Sequence, residues 1–175
     1  MVDPTSSVLL SHWLPPPTEV EKHGRGYSTF FFAGQHMAET AVQVDGGEIS
    51  EHVWLRPADA LQRHAAGALS MLPPTWMTIL TLEQCAAATA AETLRRLGEC
   101  EPLAYETRSS RLPGGRTIYL FEGDAGWPSS DASVAGRRRR LVASRRSPPW
   151  HAEEDPPITE SDTLVFRLEC STSDK

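Results

Sequence analysis

The sequence predicts an α/β fold, and three observations carry that prediction. Segments 27–33 (YSTFFFA) and 51–55 (EHVWL) are rich in aromatic and β-branched residues, which is typical of strands. Two helical patterns begin close to prolines, at Pro57 and Pro74. A Pro-Gly-Gly segment at 113–115 lies between two further β-rich stretches and predicts a hairpin.

Composition and charge narrow the function classes. The chain has 175 residues with 39% hydrophobic residues, which suits one domain of ordinary size. A net charge of −6 argues against a dedicated nucleic-acid binder, and no apolar run is long enough to span a bilayer. The 3 cysteines contain no CxxC pair, so we expect reduced thiols rather than a structural zinc site. We therefore expect an intracellular protein, cytoplasmic by default and with peroxisomal or mitochondrial targeting left open.

The first half of the chain supplies the predicted strands. We expect a buried strand over Tyr27–Ala33, continued after a bend by Val42–Val44. Gly46-Gly47 predicts a turn, and Glu51–Leu55 predicts a short strand beside it.

Prolines and glycines mark the predicted helices. Pro57 opens the first helix because a proline at the first helical position loses no intrahelical hydrogen bond, and Gly67 ends it. We expect Pro73 to hold an extended link and Pro74 to begin the second helix. A third helix begins at the capping box Thr89–Glu92.

The second half of the chain is predicted to be mainly β structure. A turn is expected at Gly123–Gly126, and the serine-, proline- and acid-rich segment 144–162 is expected to be a loop. The predicted organisation is a body over residues 8–128 and a C-terminal extension over 129–175. The predicted strands are Ala104–Arg108, Arg116–Phe121, Arg137–Ala143 and Leu164–Glu169.

Three groups of residues have both a chemical and a structural interpretation. Glu48 and Glu51 could supply oxygen ligands to a hard cation, or could be exposed acids after a turn. The run Arg137–Arg140 could contact phosphates, protect a solvated edge strand or act as a nuclear-import signal. Trp76 belongs to the core or stacks on a base. The 6 histidines show no metal-ligand spacing.

The order of several short motifs along the chain is more specific than any one of them. They are HWL-x-P at 12–16, RGYSTFFFA at 25–33, WL-x-P-x-x-AL at 54–61, G-x-L-x-x-LPPT at 67–75 and EGDAGWP at 122–128. This series resembles the second half of a Nudix hydrolase, in the branch that includes peroxisomal coenzyme A diphosphatases. The resemblance covers roughly residues 10–128.

The resemblance implies a fold and an activity. It implies an α/β/α sandwich with a mixed sheet, and hydrolysis of a nucleoside-linked diphosphate, such as coenzyme A or an acyl-coenzyme A, with Mg²⁺ or Mn²⁺. Glu48 and Glu51 would then be auxiliary metal ligands. The substrate-binding residues would be Arg25, Tyr27, Pro73, Pro74, Thr75 and Trp76.

The sequence also departs from that family. The glutamate-rich Nudix box does not occur in it, and the family places that box before the HWL-x-P segment. We therefore expect the box helix and the strands before it to be missing here, either because the gene model is truncated or because another polypeptide supplies the box. Ser173-Asp174-Lys175 is not a peroxisomal address. Three hypotheses stay open: an incomplete hydrolase, a non-catalytic nucleotide- or coenzyme A-binding module, and an unstable remnant. An open sheet edge near Phe30 would favour association.

Overall fold

A computed structural model describes residues 7–36, 41–47, 49, 51–112, 116–145 and 164–170. These residues form a mixed α/β structure with two small sheets, which confirms the predicted class. The elements in chain order are β1 (Val8–Leu14), α1 (Pro17–His23), β2 (Thr29–Ala33), α2 (Pro57–Ala65), α3 (Pro73–Gln84), α4 (Ala90–Gly98), β3 (Leu103–Glu106), β4 (Arg108–Arg111), β5 (Thr117–Leu120), β6 (Arg139–Arg145) and β7 (Leu164–Cys170).

The first sheet has three strands in the order β2-β1-β3. β1 pairs with β2 antiparallel and with β3 parallel, so this sheet is mixed. Its central strand β1 was not predicted, because Ser11 and His12 interrupt the apolar pattern of VLLSHWL. The strand nevertheless accommodates Ser11, because the buried Ser11 hydroxyl accepts a hydrogen bond from the Trp13 indole N–H at 3.0 Å.

The second sheet is antiparallel, in the order β4-β5-β6-β7. β5 pairs with β6, so strands from either side of residue 128 share one sheet. β6 also pairs with β7, which makes it an interior strand. The interpretation of the arginine run as a solvated edge strand is therefore wrong for its strand residues, and Arg140 is only 4% exposed.

Two apolar clusters lie on opposite sides of the second sheet because side chains alternate along β5 and β6. One cluster joins both sheets to α3 through Trp13, Met77, Tyr105, Phe121 and Leu141. The other lies beneath the turn segment 121–136 and contains Ile118, Leu120, Ala132 and Val142.

The helix predictions are largely confirmed. α2 begins at Pro57, and Gly67 follows it with a φ of 70°. The Thr89 side chain caps α4 by accepting a hydrogen bond from the Glu92 backbone N–H at 3.2 Å. The role predicted for Pro73 is wrong, because α3 begins at Pro73 and the extended residue is Leu72. Both prolines fit the first turn, where their missing N–H groups have no intrahelical partner.

Several strand predictions need correction. β2 is shorter than predicted and is not buried, because Phe30 and Phe32 are 52% and 59% exposed on an edge strand. Segment 51–55 forms no strand, and the indole of Trp54 is 66% exposed. Residues 42–44 are also irregular. Local β propensity predicted pairing at these sites, but none of the strands that the structure describes pairs with them.

The hairpin prediction is correct in its second strand and wrong in its first. β5 pairs with β4, whereas Leu103–Glu106 forms β3 in the other sheet. The Pro-Gly-Gly turn at 113–115 lies outside the described residues, as does most of the predicted loop, residues 146–163. β6 and β7 confirm the two later strands, and 123–126 is a turn. α1, which no pattern predicted, ends at Gly24 in the left-handed conformation.

Candidate functional site

A groove of about 730 Å³ opens where α1 and the residues after it face the start of α3. This volume lies within the usual range for small-molecule sites. Its lining comes from four separated parts of the chain: the stretch 13–29 that includes α1, residues 72–74 at the start of α3, Thr107, and Tyr119 of β5. The groove is therefore a product of the tertiary fold rather than of a single motif.

The inner surface of the groove is apolar and well fixed. Trp13 is 4% exposed and stacks on Tyr105 with ring centroids 4.0 Å apart. Trp13 also meets Phe121 edge to face at 5.6 Å. Because this ring is held on two sides by other rings, the inner surface is preorganised.

The rim carries the groups best suited to a polar ligand. Arg25 is exposed, and its guanidinium carbon lies 5.6 Å from the centre of the Tyr27 ring. The Tyr27 side chain is itself 66% exposed. The rim therefore presents a cation beside an accessible aromatic face, a pair held by a cation–π contact.

The opposite wall is apolar. Pro73 and Pro74 line the groove together with Leu72, which is 74% exposed. Two prolines at the start of a helix have little conformational freedom, so this wall keeps its shape when the groove is empty or filled. The side of Leu72 is available for apolar contact.

Glycines set the position of the rim. Gly24 ends α1 with a φ of 69°, a conformation that costs glycine little. At Gly26 a Cβ atom would lie 2.7 Å from Val20 Cγ2 and 3.0 Å from Pro15 Cγ. The backbone at Gly26 thus packs directly on α1 and the end of β1, which holds Arg25 and Tyr27 over the groove.

Three further titratable side chains line the groove, namely Glu19, His23 and Tyr119. His23 Nε2 is 3.3 Å from the Glu19 carboxylate, and both side chains are about half exposed. Tyr119 lies below them, and burial raises its pKa, with the Glu19 charge raising it further and Arg111 lowering it. Its phenol therefore stays protonated at neutral pH and can donate a hydrogen bond.

The structure brings four of the six predicted substrate-binding residues to this groove, namely Arg25, Tyr27, Pro73 and Pro74. Thr75 is exposed on α3 and does not line it. Trp76 is half-buried and packs against the main core cluster. Residues that the sequence did not single out include Glu19, His23 and Tyr119, because nothing in their local pattern marks them as neighbours.

The prediction that Glu48 and Glu51 are metal ligands stays a prediction. Glu51 is exposed in an irregular segment, and Glu48 lies outside the described residues. Within the described ranges, no three His, Cys, Asp or Glu side chains come together as a metal-binding group.

A buried ion pair joins Arg140 of the second sheet to Asp124. The Arg140 guanidinium donates two hydrogen bonds to the Asp124 carboxylate, at 2.7 Å and 2.6 Å, and a third to the Ala132 carbonyl at 2.8 Å. The backbone N–H groups of Gly126 and Arg139 also donate to Asp124, at 2.9 Å and 2.8 Å. Burial alone would raise the pKa of Asp124, but these hydrogen bonds and the Arg140 charge hold it below its ordinary value.

Comparison with family models, curated proteins and solved structures found no match for this chain. Over the residues that the structure describes, no helix combines the length and apolarity needed to cross a membrane.

Proposed function

We propose that this chain binds a nucleoside-linked diphosphate, with coenzyme A or an acyl-coenzyme A as the candidate, in the groove beside α1. One observation carries the proposal: the groove places the Arg25 guanidinium beside the accessible Tyr27 ring, opposite the apolar wall of Leu72–Pro74. Such a ligand has phosphates, a base and an apolar arm, and each has a counterpart here.

Arg25 is the proposed phosphate-binding group. A guanidinium offers a planar fork of donors that matches two phosphate oxygens, and such charge-assisted pairs are stronger than neutral hydrogen bonds. Arg25 is exposed and its guanidinium lies over the Tyr27 ring, so binding a phosphate does not require breaking a buried ion pair.

Tyr27 is the proposed stacking surface. An exposed aromatic ring can stack on a base, which contributes roughly 1–3 kcal/mol in single-stranded nucleic-acid complexes. The ring is 66% exposed, so most of the face that stacking would use is in water. The apolar arm of the ligand would lie along Leu72 and the two prolines, where burial of apolar surface favours binding.

Hydrolysis of the bound diphosphate is the second candidate, and it rests on the motif order shared with the Nudix superfamily. It would need Mg²⁺ or Mn²⁺ to activate water and neutralise charge. Glu48 and Glu51 stay the predicted auxiliary ligands, and Glu51 is not among the residues that line the groove. The non-catalytic binding module requires none of this, so it is the form of the proposal that the described geometry supports better.

The test is a calorimetric titration of the whole chain with coenzyme A and with ADP, without added metal. We expect R25A to weaken binding by about tenfold to a hundredfold, because it removes a charged hydrogen-bond donor. R25K should recover only part of the affinity, since an ammonium keeps the charge but not the fork. Y27A should weaken binding of both ligands, because both carry the same base.

R63A is the matched control, because Arg63 is exposed on α2 and does not line the groove. It should leave affinity unchanged. Equal losses in R25A and R63A would show a non-specific charge effect, and absence of binding in the unmodified chain would refute the proposal. Adding Mg²⁺ or Mn²⁺ to the complex and assaying phosphorylated products then distinguishes the hydrolase from the binding module.

A further inference from the structure

The outer side of β2 is an unprotected sheet edge. Among the strands that the structure describes, β2 lies at the end of the order β2-β1-β3 and pairs with β1 alone. Edge strands usually carry a charged residue, a proline or a bulge that blocks pairing with another chain. Residues 26–36 contain no Asp, Glu, Lys, Arg or Pro, and the extra residue in the β1–β2 ladder, Leu10, belongs to β1. β2 therefore offers a regular, uncharged edge to a further strand.

The two faces of β2 differ. Phe31 packs against the main core cluster. Phe30 and Phe32 lie on the opposite face, because side chains alternate along a strand, and both are more than half exposed. The Phe30 ring stacks on His12 of β1, with ring centroids 4.2 Å apart and planes 5° from parallel. The outer face thus presents two phenyl rings, and the neighbouring strand already holds one of them.

We infer that β2 pairs antiparallel with β2 of a second copy of this chain, which joins two three-stranded sheets into one. The outward residues of β2 suit this pairing because they are placed symmetrically about Phe31. A two-fold axis at Phe31 brings Phe30 of each copy opposite Phe32 of the other. Both pairs are aromatic, and aromatic cross-strand pairs stabilise antiparallel sheets.

The charge pattern favours a second copy over a charged peptide. A basic or acidic peptide would find no opposite charge along residues 26–36. A second β2 brings no charge of its own, so the paired strands set no like charges against each other. It also supplies a phenyl ring at both outward positions, which fixes the register of the pairing.

The contact is small, so the dimer should be reversible. Burying a whole aromatic side chain removes roughly 150–250 Å² from water, and each β2 offers two phenyl rings that are about half exposed. The rings alone supply less than the roughly 800 Å² per partner of a standard interface. We therefore expect a concentration-dependent dimer. Higher salt should strengthen it, because screening weakens the repulsion between two chains of net charge −6.

Sedimentation equilibrium of the whole chain over a wide range of concentrations tests this inference. We expect a monomer–dimer equilibrium for the unmodified chain. F30K/F32K sets lysines against each other in the dimer, so it should raise the dissociation constant at least about tenfold. I49K is the matched control, because Ile49 is also about half exposed but lies outside β2 and the groove lining. It should leave the dissociation constant unchanged.

A charge-swapped variant tests the register. In F30E/F32K the proposed two-fold places the introduced glutamate of each copy opposite the introduced lysine of the other. This variant also keeps the net charge of the unmodified chain, so it should dimerise more tightly than F30K/F32K. Circular dichroism and thermal unfolding of each variant report whether it folds.

Four outcomes would overturn the inference. They are a monomer at every concentration, growth beyond dimers, an equal effect of I49K and F30K/F32K, and failure of F30E/F32K to dimerise more tightly than F30K/F32K. The inference does not rest on the proposed ligand of the groove.

Discussion

Arg25 and Arg140 carry the same guanidinium group in opposite surroundings. Arg140 is 4% exposed, and its guanidinium donates hydrogen bonds to the Asp124 carboxylate and the Ala132 carbonyl. Arg25 is exposed at the rim of the groove, and its guanidinium carbon lies 5.6 Å from the centre of the Tyr27 ring. One arginine is a structural element of the second sheet, and the other is available to a ligand.

This difference shows why charge in the sequence is a weak guide to binding. The dense run at 137–140 attracts attention as a phosphate site, yet its last member is already fully engaged inside the protein. Removing a buried charge from its partner is costly, whereas an exposed charge can exchange water for a ligand at little cost. Three substitutions, each with a comparison variant, and a pH titration test this contrast.

The largest effect is expected at Asp124. D124A should lower the free energy of unfolding by about 3–5 kcal/mol, because it leaves the Arg140 charge buried without its carboxylate. Urea unfolding followed by circular dichroism measures the change. R25A is the matched comparison, and it should change the free energy of unfolding by less than about 0.5 kcal/mol. Similar losses in the two variants would remove the distinction between the two arginines.

Lowering the pH should weaken the Asp124–Arg140 pair, with a smaller effect on the free energy of unfolding than D124A. The pKa of Asp124 is below its ordinary value in the folded chain, so its stabilisation is complete above the unfolded pKa of about 3.9. That stabilisation should be lost as the pH falls from there through the folded pKa. The measurement is the difference in unfolding free energy between the unmodified chain and D124N from pH 7 downward. A constant difference across this pH range would contradict the assignment.

The turn that positions Asp124 should also be intolerant of added volume. A Cβ at Gly126 would lie 2.1 Å from the Asp131 carbonyl oxygen, and a backbone atom cannot rotate away. We expect G126A to cost about 1–3 kcal/mol of unfolding free energy. G47A is the control, because a Cβ at Gly47 meets nothing within 4 Å. Equal thermal midpoints for the two variants would contradict the close packing at Gly126.

The smallest stability change is expected at the groove, where the effect should appear in binding. G26A brings a methyl group to 2.7 Å from Val20 Cγ2, so the link carrying Arg25 and Tyr27 must shift. We expect a loss of about 1 kcal/mol in stability together with weaker binding of coenzyme A. Adding V20A to G26A removes the closer contact and should restore affinity. Weak binding that persists in the double variant would show that Gly26 acts in another way.

Local signals in the sequence predicted local structure well. Pro57 and Gly67 mark the limits of α2, and the Thr89–Glu92 capping box marks the start of α4, because these residues act on the backbone within a few positions. The strand predictions were less accurate, because a strand is stable only when it pairs with another strand. Glu51–Leu55 has the composition of a strand, but none of the described strands pairs with it, whereas β1 has poor composition and two partners.

The groove could be predicted only in part. The motif order resembling the Nudix superfamily pointed to Arg25, Tyr27, Pro73 and Pro74, which the fold brings to one groove. That Tyr119 and Glu19 join them depends on how the two sheets pack, and no spacing in the sequence encodes this directly. Trp76 shows the opposite case. It lies close to the groove residues Pro73 and Pro74 along α3, yet it packs against the main core cluster.

The parallel pairing of β1 with β3 has a consequence for synthesis of the chain. Ser11 lies opposite Leu103, so the first strand leaves the ribosome more than ninety residues before its second neighbour. During that interval β1 and β2 can form only a two-stranded ribbon, with Phe30 and Phe32 exposed on it. A nascent ribbon of this kind exposes apolar surface before the sheet is complete, and a translational pause before residue 103 would lengthen that exposure.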